Sequence, residues 1–222
     1  MKTFFFFYFL TFFYIGLSAQ KMTIGLRRGI GISAHERIFD PNYGNRFEIK
    51  PVISYSGSFD FTCNILRGIT FVSGFDFEKK GVQRYAYREH YYYLTAPVNL
   101  RCYIIKPERY KWFAYFQGGL YYSRLLLRRE TRVGTGALYD IGLPEYLKPV
   151  SNDYGLGGAA GGGFKINSKW RFTFQFSFSH GMRDIYFKRT DEWPAPDQRR
   201  ANVAALFEAG IHYVIKTPAN KK

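Results

Sequence analysis

The chain has 222 residues, enough for one domain with a sizeable core, and its 32 Lys and Arg outnumber its 17 Asp and Glu, giving a formal net charge of +15. Such a charge would ordinarily suggest nucleic acid as a partner. The basic residues form no block, however, and the N-terminal segment indicates export. We therefore expect no nucleic-acid partner and favour anionic lipid or an acidic surface.

The N-terminal segment has the features of a secretory signal. Lys2 precedes the apolar run FFFFYFLTFFYIGLSAQ, which ends on the small residues Ser18 and Ala19. This pattern predicts a signal peptide over residues 1–19 and a mature domain over residues 20–222. The alternative, a retained membrane anchor, is disfavoured because the run is short and no basic stop signal follows it.

From Met22 onward, apolar and polar residues alternate at the period of a β-strand. The clearest segment is RFTFQFSFSH, in which one face consists of four phenylalanines. Those residues are Phe172, Phe174, Phe176 and Phe178. Eight such segments occur, at about residues 22–32, 47–56, 69–78, 91–104, 112–127, 153–166, 171–180 and 202–215.

The links between these segments alternate in length. The first, third, fifth and seventh links are long, the third being KKGVQRYAYRE, whereas KPERYK and NSK are short and the second link lies near SFDFTCNIL. Long outer loops and short periplasmic turns are typical of outer-membrane barrels. The sequence therefore predicts an all-β, eight-stranded, antiparallel up-and-down transmembrane barrel in the outer membrane.

Charged residues occupy the face opposite the apolar one. In a soluble sheet they would face water, whereas in a closed barrel they would fill the lumen as paired charges. Aromatic residues near segment ends, such as Tyr91 to Tyr93, Trp112, Tyr121, Trp170 and Tyr213, favour a barrel in a membrane. The predicted lumen charges are Glu48, Lys50, Asp76, Glu78, Arg101, Asp153, Lys165, Arg171 and Glu208. The four phenylalanines are then predicted to face lipid, and no aqueous pore is expected.

Several stretches resemble the PorT-like outer-membrane β-barrel family of Bacteroidota. They are ITFVSGFDFEKKG, HYYYLTAPVNLRCYI, FQGGLYYSRLL, DYGLGGAAGGGFKI and FSFSHGMRDI, in that order along the chain. The chain departs from the usual outer-membrane ending because KTPANKK follows Ile215. The resemblance implies an integral outer-membrane protein and, for some relatives, a part in type IX protein export.

Nothing in the sequence indicates a cofactor or metal. The glycine-rich GLGGAAGGGF lacks the Gly-Lys-Ser/Thr ending of a phosphate loop, and its glycines are expected to leave room for bulky neighbours inside a narrow barrel. Ser179 and His180 raise the alternative of a lipid-modifying enzyme, but adjacent strand residues point to opposite faces. Cys63 and Cys102 lack metal spacing, and we expect them to be unpaired, although an exported protein permits a disulfide.

The interpretation that follows is a non-enzymatic outer-membrane barrel with a structural or interaction role through its outer loops. Its alternatives are an accessory subunit of a secretion system and a soluble periplasmic lipid-binding barrel. Basic residues in or beside the outer loops, including Lys79 and Lys80, predict a rim that binds lipopolysaccharide phosphates and that could also receive other envelope proteins. The rim residues are Arg128, Arg129, Arg132, Lys188, Arg189, Arg199 and Arg200.

Overall fold

A computed structural model describes residues 21–37, 49–84, 87–132, 151–182 and 200–216. The predicted signal peptide, residues 1–19, lies outside the described residues. The strands are β1 (Lys21–Arg37), β2 (Ile49–Leu66), β3 (Ile69–Arg84), β4 (Tyr87–Ile105), β5 (Trp112–Arg132), β6 (Asn152–Lys165), β7 (Trp170–Gly181) and β8 (Arg200–Lys216). Within these ranges no helix is long and apolar enough to cross a membrane.

The eight strands form one closed antiparallel barrel in which each strand pairs with its neighbours in sequence and β8 pairs with β1. The predicted fold class is therefore confirmed. Paired residues followed once around the barrel lead from Met22 on β1 to Ile32 on the same strand, a stagger of ten residues. Such a stagger requires strongly tilted strands and gives an interior that side chains can fill.

The alternation in the sequence separates the two faces of the wall. On β1, Arg27 and Ser33 are buried, whereas Leu26 and Ile30 are exposed. On β7, Phe176 is 58% exposed while its neighbour Gln175 is 2% exposed. Because successive side chains of a strand point to opposite faces, the polar set lies inside the barrel and the apolar set forms its outer wall.

Two links differ from the predicted pattern. The segment near SFDFTCNIL is part of β2, which continues to Leu66, so that the turn falls at Arg67 and Gly68. The third link, predicted to be long, has only residues 85–86 between strands, because β3 and β4 stay paired up to Arg84 and Tyr87. We call the end that carries this link and the long links the loop end, and the opposite end the turn end.

The predicted aromatic belt is correct only in part. At the turn end, Trp170 packs edge-to-face against Tyr213 on the outer wall with ring centroids 5.0 Å apart, and Trp112 packs on Phe164 at 5.1 Å. Tyr91, Tyr93 and Tyr121 instead lie buried inside the barrel, and these three contribute nothing to a lipid-facing belt. In a run of three tyrosines, alternation places two on the same face, and here that face is the inner one.

Candidate functional site: the barrel interior and its loop-end rim

The innermost charges form a cluster around Arg27. Its guanidinium donates to both carboxylate oxygens of Asp60, with the Nη2–Oδ1 distance 2.7 Å, and its Nη1 lies 3.2 Å from Oε2 of Glu208. All three side chains are almost fully buried. One arginine is therefore shared between two carboxylates from the strands on either side of β1, and its fork geometry suits this double contact.

Side chains from β7, β5 and β4 extend this cluster across the barrel. Gln175 donates from Nε2 to Oε2 of Glu208 at 2.6 Å and accepts at Oε1 from the Tyr115 hydroxyl at 2.9 Å. Arg101 donates to Oε1 of Gln117 at 2.8 Å and lies 4.1 Å over the ring centroid of Tyr115. The chain of contacts runs from β8 through β7 to β5 and β4, so side chains from several walls constrain one another.

A second cluster lies nearer the loop end. Lys80 Nζ is 2.7 Å from Oε2 of Glu78, and it also lies 5.0 Å from the ring centroid of Tyr121. Nδ2 of Asn202 lies 3.1 Å from the Tyr93 hydroxyl and 3.1 Å from Oδ2 of Asp153. Asn202 on β8 and Tyr93 on β4 belong to opposite walls, so this contact spans the full width of the barrel.

A small cavity of about 60 Å³ lies between the two clusters. Asp60, Asp76, Glu78 and Glu208 all contribute to its lining. Oδ1 of Asp76 is buried and has no hydrogen-bond partner among the described residues. A space of this size holds a few water molecules and no larger solute.

The inner aromatic residues of β5 pack over glycines of the neighbouring strand β6. Phe113, Tyr115 and Tyr121 of β5 stand directly opposite three glycines of β6. A Cβ on Gly161 would lie 2.9 Å from the Tyr115 ring, and one on Gly163 would lie 2.7 Å from Phe113. The glycines of GLGGAAGGGF therefore make room for aromatic rings, as the sequence predicted.

The predicted lumen residues are distributed as follows. Asp76, Glu78, Arg101, Asp153, Arg171 and Glu208 lie inside the barrel, and Lys165 is half-buried on the inner face at the turn end. Lys50 must be corrected: it is exposed, because it lies near the loop end of β2. Glu48 lies outside the described residues.

Three central members of the interior are absent from the predicted lumen charges. They are Arg27, Asp60, which the sequence places near the second link, and Lys80, which the sequence places in or beside the outer loops. The alternation of Asp60 with Phe59 and Phe61 is the signal that could have extended β2 through it.

The four phenylalanines of β7 lie on the outer wall. Phe174, Phe176 and Phe178 are each more than two-fifths exposed. Phe172 is partly covered, because its ring packs against Phe164 with centroids 5.3 Å apart. Cys63 and Cys102 are both free thiols, the first buried and the second exposed.

Two neighbouring arginines at the loop end, Arg128 and Arg129, face opposite sides of the barrel wall. A register shift between Tyr92 and Tyr93 in the β4–β5 pairing inserts one extra residue into β5. Beyond it, Arg128 turns inward onto Glu130 and approaches Glu89 at 3.9 Å. This corrects its assignment to a lipopolysaccharide-facing rim, because carboxylates already occupy its guanidinium. Arg129 is exposed and lies 6.0 Å over the ring centroid of Tyr92.

The remaining predicted rim residues are only partly described. Arg132 ends β5 and Arg200 begins β8, without a description of their side chains, and Lys188, Arg189 and Arg199 lie outside the described residues.

In the part of the chain that is described, no group of three or more His, Cys, Asp or Glu side chains could hold a metal ion. Ser179 belongs to the wall of the inner cavity, whereas His180 is the next residue along the strand and points to the opposite face.

An apolar outer wall, a polar interior and a closed eight-stranded sheet define the class of integral outer-membrane β-barrel proteins. The chain belongs to the family described as "Outer membrane protein beta-barrel domain", which matches residues 13–186. No curated protein matches the chain.

The chain is similar to several solved outer-membrane proteins. OprG from Pseudomonas aeruginosa is 12% identical, with a TM-score of 0.50 over 90% of this chain and 97% of that one. Neisserial surface protein A is 8% identical, with a TM-score of 0.49 over 87% and 97%. Ail of Yersinia pestis is 9% identical, with a TM-score of 0.45 over 89% and 99%. The family places the protein in the outer membrane, which removes the alternative of a soluble periplasmic barrel.

Proposed function

We propose that the protein is a non-enzymatic outer-membrane barrel with a closed lumen, and that it acts as a structural or interaction protein through its loop end. The observation that carries this proposal is the filled interior. Asn202 and Tyr93 meet from opposite walls, and Arg27 is held between two carboxylates. An interior occupied by mutually bonded side chains supports a scaffold role better than a channel role.

Conductance measurements test the closed lumen. We expect the purified protein, inserted into a planar bilayer, to give no steady ion conductance of porin size, because the cavity between the two clusters holds only a few waters. A general porin measured in the same bilayers is the positive control. Steady porin-size conductance from the full chain would contradict the proposal.

We further propose that the loop-end rim binds the phosphate groups of lipopolysaccharide. Arg129 supports this assignment, since it is exposed on the outer wall beside the ring of Tyr92. Guanidinium groups bind phosphate through two parallel hydrogen bonds. Arg132, Lys188, Arg189, Arg199 and Arg200 remain predicted members of the same rim.

Arginine-to-glutamine variants test the rim. Arg129→Gln, and more strongly its combination with Arg199→Gln and Arg200→Gln, is expected to lower the amount of lipopolysaccharide that co-purifies and to ease its release by salt or magnesium. Arg128→Gln is the control, because its guanidinium is bound to Glu130 inside the wall. If the triple variant keeps as much lipid as the parent protein under every condition, the rim is only a solvated loop surface.

A part in a type IX-like secretion system is the second candidate. It is supported by the order of the PorT-like stretches, which run from ITFVSGFDFEKKG to FSFSHGMRDI. Affinity purification of the full chain from native membranes separates the two candidates. Co-purification of secretion subunits would favour the second, and recovery with lipopolysaccharide alone would favour the first.

A further inference from the structure

Among the residues of β1 whose side chains are described, one charged residue interrupts the apolar outer wall. Arg28 points outward, and the outward-facing residues that precede and follow it on this strand are Leu26 and Ile30, both more than half exposed. The next outward-facing residues along the strand, on either side of these two, are Ile24 and Ile32. Arg28 therefore lies in the middle of the apolar face rather than at either end.

The depth of Arg28 follows from the strand geometry. The turn-end border of the wall is marked by Trp170 and Tyr213, and Tyr213 pairs with Trp170 and with Ile24. Arg28 lies four residues beyond Ile24, and a tilted strand rises roughly 2.5 Å per residue along the barrel axis. Because the stagger moves each paired residue toward the loop end from β7 to β8 to β1, Ile24 already lies inside the level of Trp170. Arg28 therefore lies more than about 10 Å inside that border, in an apolar band of about 25 Å.

The surroundings of Arg28 leave its side chain uncovered. Its cross-strand neighbours are Gly57 on β2 and Ala209 on β8, whereas most of the outer wall carries aromatic or branched side chains. A Cβ on Gly57 would meet nothing within 4 Å. Among the described residues no carboxylate lies within ion-pair distance of Arg28.

An arginine at this depth facing lipid is costly unless a counter-charge meets it. Lipid headgroups lie at the borders of the band, so Arg28 reaches them only by snorkelling along the wall with local thinning of the bilayer, which has a cost of its own. Within the described strands a second copy of this chain offers no such carboxylate, since those whose side chains are described lie inside the barrel. Those residues are Asp60, Asp76, Glu78, Glu89, Glu130, Asp153 and Glu208.

We propose that the outer wall around Arg28, formed by β8, β1 and β2, is the docking surface for a different integral outer-membrane protein, which presents a carboxylate at the same depth. Gly57 and Ala209 let the backbone of that partner approach closely, and the guanidinium and carboxylate neutralise each other away from water. This surface lies in the membrane and is independent of the loop-end rim.

Photo-crosslinking in native outer membranes tests the surface. A photoreactive residue replaces Gly57 in the full chain, and the matched control carries it at Gly118, an exposed glycine on β5 across the barrel. We expect an adduct with one outer-membrane protein from position 57 but not from position 118. Arg28→Leu should lower that adduct more than about tenfold, as for truncation of one member of a buried charge pair, and Arg28→Lys should retain it.

Unfolding of the purified protein shows whether Arg28→Leu loses the adduct simply because the variant folds poorly. In lipid vesicles without a partner, Arg28→Leu should unfold at a higher urea concentration than the parent, because an unpaired charge has left the lipid-facing wall. The proposal is overturned if this variant unfolds at a lower concentration. It is also overturned if position 57 crosslinks only lipid or another copy of the chain, if position 118 gives the same adduct, or if the adduct persists in Arg28→Leu.

Discussion

Replacing Arg27 with methionine should lower the free energy of unfolding by about 3–5 kcal/mol, the range for breaking a buried ion pair by removing one partner. Arg27 is the shared cation of two buried carboxylates, Asp60 and Glu208. Methionine has a similar length but no charge, so both carboxylates would remain buried without their counter-ion. The expected loss therefore comes mainly from the two buried carboxylates left without a counter-ion, rather than from the contacts of the missing arginine.

Urea titration of the protein folded in lipid vesicles measures this effect, and the interior offers a matched control. Arg101 is also buried, but it bonds to the neutral side chains of Gln117 and Tyr103 and lies over the ring of Tyr115. Arg101→Met leaves no directly bonded carboxylate without a counter-ion, so it should lower the free energy of unfolding by clearly less. Adding Asp60→Asn and Glu208→Gln to Arg27→Met should recover part of the loss. Equal losses for the two arginine variants would contradict the central role given to Arg27.

The division of the chain into an inner and an outer face could be predicted from the sequence because a strand has a period of two residues. The Phe face of β7 is an example, since its alternation is unbroken over ten residues. The end of each strand could not be predicted as well. Both β3 and β4 continue past the apolar band, so Lys80, which follows the last apolar residue of its segment, still faces the interior and pairs with Glu78.

The interior partners depend on pairing between strands that are far apart in sequence. Arg27 and Glu208 become neighbours only because β8 closes onto β1, and the register that aligns them is invisible in either segment alone. The inward turn of Arg128 depends on a single extra residue near Leu126, which reverses the alternation of β5. An aromatic or charged residue near a strand end therefore does not reveal its face without the register.

Replacing Phe176 with arginine should lower the free energy of unfolding in lipid vesicles by about 2–4 kcal/mol, the range for a charge near the midplane of a barrel wall. Phe176 is 58% exposed and lies six residues from Trp170, which marks the turn-end border on the same strand. Trp170→Arg is the matched control, and there the cost of the charge itself should be only about 0–1 kcal/mol, since water and headgroups reach that depth. Both variants remove one large aromatic side chain, so the difference between them isolates depth. Equal losses from the two positions, measured by urea titration, would show that the outer wall of β7 does not face the hydrocarbon of a bilayer.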